Sequence, residues 1–210
     1  MKIINFYKLN STQTKVKELL DTKAYKEKTF ITTKRQTNGY GRSKSNWYTG
    51  KGTLCFSYAH KLNQSYLQIL TNLKETFNFF KIDVQLKWPN DILLNGVKIA
   101  GVIVEKYLGY NIIGIGINLF IDSKINYKSV EELTGIKIDK FYFLFVYAKH
   151  FLEMKNELIM HKFVLFENKV HKICFLEDNL VLTDEGGKNV YISNEFYSYD
   201  CFYNEIIKKK

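Results

Sequence analysis

At 210 residues the chain suits one domain of ordinary size carrying at most a small appendage, and it is too short for a tandem array. Hydrophobic residues make up 46% and aromatic residues 16%, ample for a buried core and against intrinsic disorder, while no apolar run approaches the ~18–20 residues that span a bilayer. Met1-Lys2-Ile3-Ile4-Asn5-Phe6 turns polar too soon for a secretory signal, and the three cysteines, Cys55, Cys174 and Cys201, have no C-x-x-C spacing, so a soluble protein of the reducing cytoplasm is expected, without a disulfide framework or zinc site.

A net charge of +10 admits either a nucleic-acid partner or a lysine-rich composition without functional meaning. Its distribution is more telling. The 31 basic residues include only two arginines, Arg35 and Arg42, and no Asp or Glu occurs between Lys28 and Lys74. Arginine offers a fixed planar fork for carboxylate or phosphate, so its confinement to this stretch points to an anion bound nearby.

In chain order, Ile3 to Leu9 reads as a strand and Asn10-Ser11-Thr12 as the cap of a helix running through Lys15–Leu20. Thr29–Thr33 is a short β-branched strand leading into a polar segment, Lys34–Gly52, whose four glycines predict a long mobile loop. Thr53–Tyr58 alternates as a strand, and Tyr66, Leu67, Ile69, Leu70, Leu73 and Phe77 follow helical spacing. Val84–Trp88, Asp91–Leu94, Lys98–Tyr107 and Asn111–Leu119 are strands joined by tight turns, with Asn95-Gly96 a two-residue hairpin signal. Ser129–Leu133 predicts a short Ser-capped helix and Phe141 to about His161 a longer one, apolar on nearly every side. From Phe163 onward short strands return, with Asp184-Glu185-Gly186-Gly187 as a turn and Lys208-Lys209-Lys210 as a frayed tail. The fold class is α+β: a mixed central β-sheet flanked by helices, residues 1–163, followed by a small β-rich C-terminal domain, residues 164–210.

Three glycine-containing segments hold the rare residues. Gly39-Tyr40-Gly41-Arg42-Ser43-Lys44-Ser45-Asn46-Trp47 lets backbone N–H groups approach an anion while Arg42 supplies charge, although it is neither a dinucleotide fingerprint nor a Walker sequence. Lys87-Trp88-Pro89-Asn90-Asp91 contains the only proline, and the hairpin after it projects Asp91 and Lys98 from successive strands, with Ala100 and Gly101 leaving room beside Lys98. Ile113-Gly114-Ile115-Gly116-Ile117-Asn118-Leu119 puts two glycines and Asn118 on one strand face, as close approach of a ligand or another backbone requires.

The order of these segments, with Lys98-Ile99-Ala100-Gly101 leading to Glu105 and Ser11-Thr12-Gln13 near the first helix, resembles the catalytic core of biotin protein ligases, over roughly residues 3–165. That resemblance implies a fold like the class II aminoacyl-tRNA synthetase core. It also implies a two-step reaction, in which biotin and MgATP give biotinyl-5′-AMP and a lysine of the biotin carboxyl carrier protein of acetyl-CoA carboxylase then takes the biotinyl group. By similarity Ser11, Thr12, Gln13 and Gln36 contact the biotin rings, with Gly39 and Gly101 also beside biotin. Tyr40, Gly41, Arg42 and Lys98 line its carboxylate and the adenylate phosphate, and Trp47 covers the apolar side. Asn90, Gly114, Gly116 and Asn118 belong to the ATP end, and Asp91 serves either Mg²⁺ or the incoming ammonium. Arg42, Lys98 and Asp91 form the catalytic set.

The chain departs from the family pattern at Tyr40, where another arginine is common, and at Ser43-Lys44, where Arg-Gly is common; the C-terminal part looks abbreviated. Because the chain starts at the core's first strand, a ligase without a DNA-binding repressor segment is expected, with neither DNA nor membrane as partner. A lipoate or octanoyl ligase or transferase is the alternative within the related fold, and a nucleic-acid-binding protein the alternative outside it. His150, His161 and His171 carry no metal-ligand spacing.

Overall fold

The structure, a computed structural model, describes residues 1–61, 66–120, 127–153, 163–167, 169–176, 179–184, 186–193, 197–200 and 205–208. The chain runs β1 (Lys2–Phe6), α1 (Thr12–Asp21), β2 (Thr29–Thr33), a 3-10 turn (Arg42–Lys44), β3 (Thr53–His60), α2 (Tyr66–Phe79), β4 (Gln85–Lys87), β5 (Asp91–Leu94), β6 (Val97–Tyr107), β7 (Tyr110–Asn118), α3 (Val130–Thr134) and α4 (Lys140–Glu153). Six further strands follow: β8 (Phe163–Phe166), β9 (Lys169–Leu176), β10 (Asn179–Thr183), β11 (Asn189–Ile192), β12 (Tyr197–Asp200) and β13 (Glu205–Lys208).

Local chemistry accounts for the element ends. Ser11 caps α1 by accepting from the Gln13 N–H, and Ser129 caps α3 by accepting from the Glu132 N–H, each meeting one of the donors a helix start leaves unpaired. Asn95 and Gly96 both sit at positive φ (51° and 74°), the backbone a two-residue hairpin between β5 and β6 demands. The predicted long helix is α4 as far as Glu153; its remainder, including His161, lies outside the described residues. Lys208 is not frayed but pairs with Tyr197 in the last hairpin, because alternating Ile206 can bury its side chain there. Lys209, Lys210 and Cys201 lie outside the described residues.

The first seven strands form one sheet, ordered β1-β2-β3-β7-β6-β5-β4, with β1 and β2 parallel and the other neighbours antiparallel. The mixed central sheet is as the sequence predicts. One face carries Phe30, Phe56, Tyr58, Ile113, Ile115 and Ile117 into the main core beneath α2 and α4, where the Tyr58 and Tyr147 hydroxyls meet at 2.9 Å. The other face packs Ile31, Ala59 and Ile112 under Val16 and Leu20 of α1. This side is only partly covered, because the ten-residue α1 spans about 15 Å, and the uncovered part becomes the pocket. The last six strands form a second sheet, ordered β11-β10-β9-β8-β13-β12.

Candidate active site

The pocket floor follows from strand register. Asp91 of β5, Gly101 of β6, Gly116 of β7 and Cys55 of β3 stand in one cross-strand row, and Ile103, Gly114 and Ser57 form the next. Small residues in adjacent rows leave a hollow on a twisted sheet, here a cavity of about 200 Å³ that α1 and the 36–47 segment enclose.

At the α1 end the lining is polar and uncharged. Thr12 donates its backbone N–H to Gln36 Oε1 at 2.8 Å, and its hydroxyl lies 2.8 Å from Ser57 Oγ. Gln36 Nε2 donates to Thr49 Oγ1 at 3.1 Å. Gln13 crosses Gly114 so closely that a Cβ there would lie 2.9 Å from its Cδ. Its Nε2 donates to Glu105 and to the Ile112 carbonyl, while its Oε1 is buried without a protein partner, an acceptor available to a ligand.

Glu105 gathers the roof. Its carboxylate accepts from Gln13 at 2.9 Å, Tyr40 Oη at 2.8 Å and Lys17 Nζ at 3.0 Å. Burial alone would raise its pKa; the hydrogen bonds from Lys17, Tyr40 and Gln13 outweigh that and hold it below the usual carboxylate range. Burial and the neighbouring carboxylate push the Tyr40 phenol well up, so it remains a neutral donor. Tyr40 thus takes a pocket position while adding no cation. Glu105 is the residue the sequence reading left without a role. It shares the β6 face of Gly101 and Ile103 at a spacing of two, and that alternation is the signal that marks it.

At the β5 end the lining is charged. A register shift between Ile92 and Leu93 sets Lys98 opposite Leu93 while Gly101 stays opposite Asp91. Lys98 can then reach back along the same side, and its ammonium lies 2.8 Å from Asp91 Oδ1. Lys98 passes beside Gly101, where a Cβ would stand 3.4 Å from Lys98 Cε, in contact with it. One residue earlier, Asn90 accepts from Arg42 Nη1 at 2.8 Å and donates to the Val102 carbonyl at 3.0 Å. Both pocket cations are therefore fixed by the consecutive pair Asn90-Asp91. Arg35 is exposed and does not line the pocket.

The space that the glycines leave is taken in part by Trp47. A Cβ on Gly116 would fall 2.2–2.5 Å from indole atoms, and one on Gly101 3.2 Å from the ring. The predicted loop is folded here: Tyr40 and Asn46 bridge, the Trp47 N–H donates to the Gly39 carbonyl, and Ser43 adopts φ 53° inside the 3-10 turn. Gly39 lies behind the lining, between Gln36 and Trp47. Asn118 pairs with Thr53 beyond the lining residues, so of that strand Gly114 and Gly116 reach the pocket and Asn118 does not. Ser11, Thr12, Gln13, Gln36, Tyr40, Gly41, Arg42, Trp47, Asn90, Asp91, Lys98 and Gly101 do reach it. Cys55 and Ser57, not anticipated as site residues, complete the floor, and burial pushes the Cys55 thiol up to about 11.

The sequence model of the biotin/lipoate A/B protein ligase family matches residues 5–122, which contain every lining residue of this pocket. The chain belongs to that family. Among curated members, the bifunctional ligase/repressor BirA of Bacillus subtilis is 30% identical over 156 residues, 63% of this chain and 47% of that protein. Biotin–protein ligase 2 of Arabidopsis thaliana is 29% identical over 108 residues, 42% of this chain and 32% of that protein. The chain thus spans a third to a half of the length of these relatives. The biotin protein ligase of Aquifex aeolicus, solved with biotin and ATP, shares the fold with a TM-score of 0.68 at 24% identity, over 91% of this chain and 95% of that one. The α+β fold of the ligase family, with its small C-terminal β region, is the fold of this chain. Among the described residues no helix is long and apolar enough to cross a membrane, and no cluster of three or more His, Cys, Asp or Glu side chains is poised to hold a metal.

Proposed function

We propose that this chain is an ATP-dependent biotin protein ligase, which joins biotin to AMP and passes the biotinyl group to a lysine of a biotin carboxyl carrier domain, that of acetyl-CoA carboxylase by resemblance. The observation that carries this reading is the division of one pocket into an uncharged polar end and an end with two cations, Arg42 and Lys98, each held by a neighbour. The ureido group of biotin has both donors and acceptors, and Thr12, Gln13, Gln36 and Ser57 supply the complement. A carboxylate attacking an α-phosphate brings anion to anion, and fixed positive groups are what such a step needs.

In the first step a biotin carboxylate oxygen bonds to the α-phosphorus and the bond to pyrophosphate breaks; Arg42 and Lys98 neutralise the charge that builds on the phosphoryl oxygens. In the second the carrier lysine's neutral amine attacks the biotinyl carbonyl carbon and AMP leaves with the electron pair of the mixed-anhydride bond. Asp91, the one carboxylate lining the pocket among the described residues, is suited to accept the amine's proton or to meet the Mg²⁺ that arrives with ATP. One carboxylate fits a magnesium ion that draws its other ligands from water and phosphate oxygens. Asn90, beside Arg42, serves the nucleotide end; Gly114, expected there, lies under Gln13 at the uncharged end, and Gly116 lies under Trp47 between the two. The net charge of +10 suits an acidic carrier, without calling for DNA.

The family name also covers lipoate ligases, and the uncharged hydrogen-bonding end favours biotin over a dithiolane, which offers no N–H donors. Incubation with MgATP, a carrier domain and either biotin or lipoate tests the choice. Transfer of biotin, detected by avidin blot, together with no transfer of lipoate is expected; lipoate transfer alone overturns the assignment.

A further inference from the structure

We infer that the C-terminal sheet holds both pocket cations in place through Trp88, which is a positioning residue for the step at the phosphate. The inference rests on the adenylating function proposed above. Trp88 belongs to neither hydrophobic body of the seven-stranded sheet. It is 8% exposed and packs in a separate cluster with Leu182 of β10, Ile192 of β11 and Ile206 of β13, flanked by Val190 and Tyr197. An indole from the pocket-bearing half is thus part of the core of the second sheet.

The segments on either side of Trp88 are anchored to the first sheet's core through Val84, Leu86 and Ile92, whereas the Trp88 side chain packs on the second sheet. β4 is the edge strand, three residues long, and among the described residues its only strand neighbour is β5. The turn that follows carries Asn90, which accepts from Arg42, and Asp91, which pairs with Lys98. Asn90 is also joined to β6 twice, since its carbonyl accepts from the Val102 N–H at 2.9 Å and its side chain donates to the Val102 carbonyl. A displacement of the indole by an ångström or two therefore moves Asn90 and Asp91 together, and with them the partners of both cations. Electrostatic stabilisation of a transferring phosphoryl group is sensitive to such shifts, whereas a ring system held by α1 and the central strands is not. None of the described residues beyond Leu119 lines the pocket, so the second sheet acts on the site at one remove, through this side chain.

The test uses the full chain with Trp88→Phe, Trp88→Ala and, from the other side of the contact, Leu182→Ala. Three quantities are read: amide hydrogen exchange across 85–104 and 112–118, the Kd for biotin without nucleotide, and pyrophosphate release with biotin and MgATP. Trp88→Ala should speed exchange in 85–94 and 98–104 at least tenfold with 112–118 still protected. The biotin Kd should stay within about threefold while kcat/KM for ATP falls at least tenfold. Leu182→Ala should give the same signature, and Trp88→Phe, which keeps most of the apolar volume, should restore much of the loss. Unchanged exchange over 85–104, or biotin binding and pyrophosphate release falling in proportion, would overturn the inference. If the unaltered protein releases no pyrophosphate with biotin, the functional reading fails instead, and the exchange pattern alone decides whether the second sheet holds the turn.

Discussion

At the α1 end of the pocket, Thr12 bonds to both Gln36 and Ser57, and the three are largely withdrawn from water and stand on or against central strands paired on both sides. At the β5 end, Arg42, Asp91 and Lys98 are charged, the Lys98 side chain is 48% exposed, and the strands beneath, β5 and β6, are an irregularly registered pair one strand in from the sheet edge. The difference is one of what can be tuned. Neutral groups in a packed wall discriminate by fit and by the cost of leaving a buried donor or acceptor unpaired. Charged groups open to solvent act through field and position, which solvent screens and small movements alter.

Substitution at the charged end should cut most deeply. Lys98→Ala is expected to lower pyrophosphate release about 100-fold or more, the usual effect of removing one donor to a developing charge, while exposed Arg35→Ala stays close to the unaltered protein. Equal losses would show that net charge, not position, governs the step. Next comes the floor between the ends. Gly116→Ala sets a methyl against the Trp47 indole, and overpacking of that kind costs about 1–3 kcal/mol; calorimetry should show biotin binding weakened tenfold or more. At the uncharged end Ser57→Ala should weaken biotin by about tenfold, roughly 1.4 kcal/mol, and the ratio of the two Kd values should not change between low and physiological salt. A strong salt dependence of that ratio would erase the distinction between the ends.

The smallest effect concerns Glu105. Its carboxylate is held below the ordinary range in the folded protein, so it adds stability that is present above the unfolded value of about 4.3 and is lost as pH falls through the folded value. Thermal melts should place Glu105→Gln below the unaltered protein at pH 7, by under about 3 °C once solvent screening is allowed for. The gap should narrow below about pH 4; a gap independent of pH would mean that the carboxylate's charge is not what counts.

Features set within a few residues were legible in the sequence: the Ser11 cap, the Asn95-Gly96 hairpin, and the alternation that turns Gly114 and Gly116 to one face. The resemblance supplied the rest of the predicted lining; Asn118 shares the face of Gly114 and Gly116 and pairs with Thr53, one row beyond the cavity's lining. Three things depend on contacts between distant segments and could not be read from spacing. The register shift brings Lys98 alongside Gly101, Glu105 draws Tyr40 and Gln13 together, and Trp47 fills the room above Gly116. Trp88 is the same case on a larger scale, a motif residue whose partners lie about a hundred positions further on.

The chain has two tryptophans, and they stand in different surroundings: Trp47 on the glycine floor of the pocket and Trp88 inside the second sheet's apolar cluster. Intrinsic emission is therefore a two-site signal with separable components. With Trp88→Phe the remaining fluorophore reports how the pocket fills, and with Trp47→Phe it reports whether the two sheets have come apart. Optical titrations of these two single-tryptophan proteins follow occupancy and inter-sheet contact independently, without any attached dye.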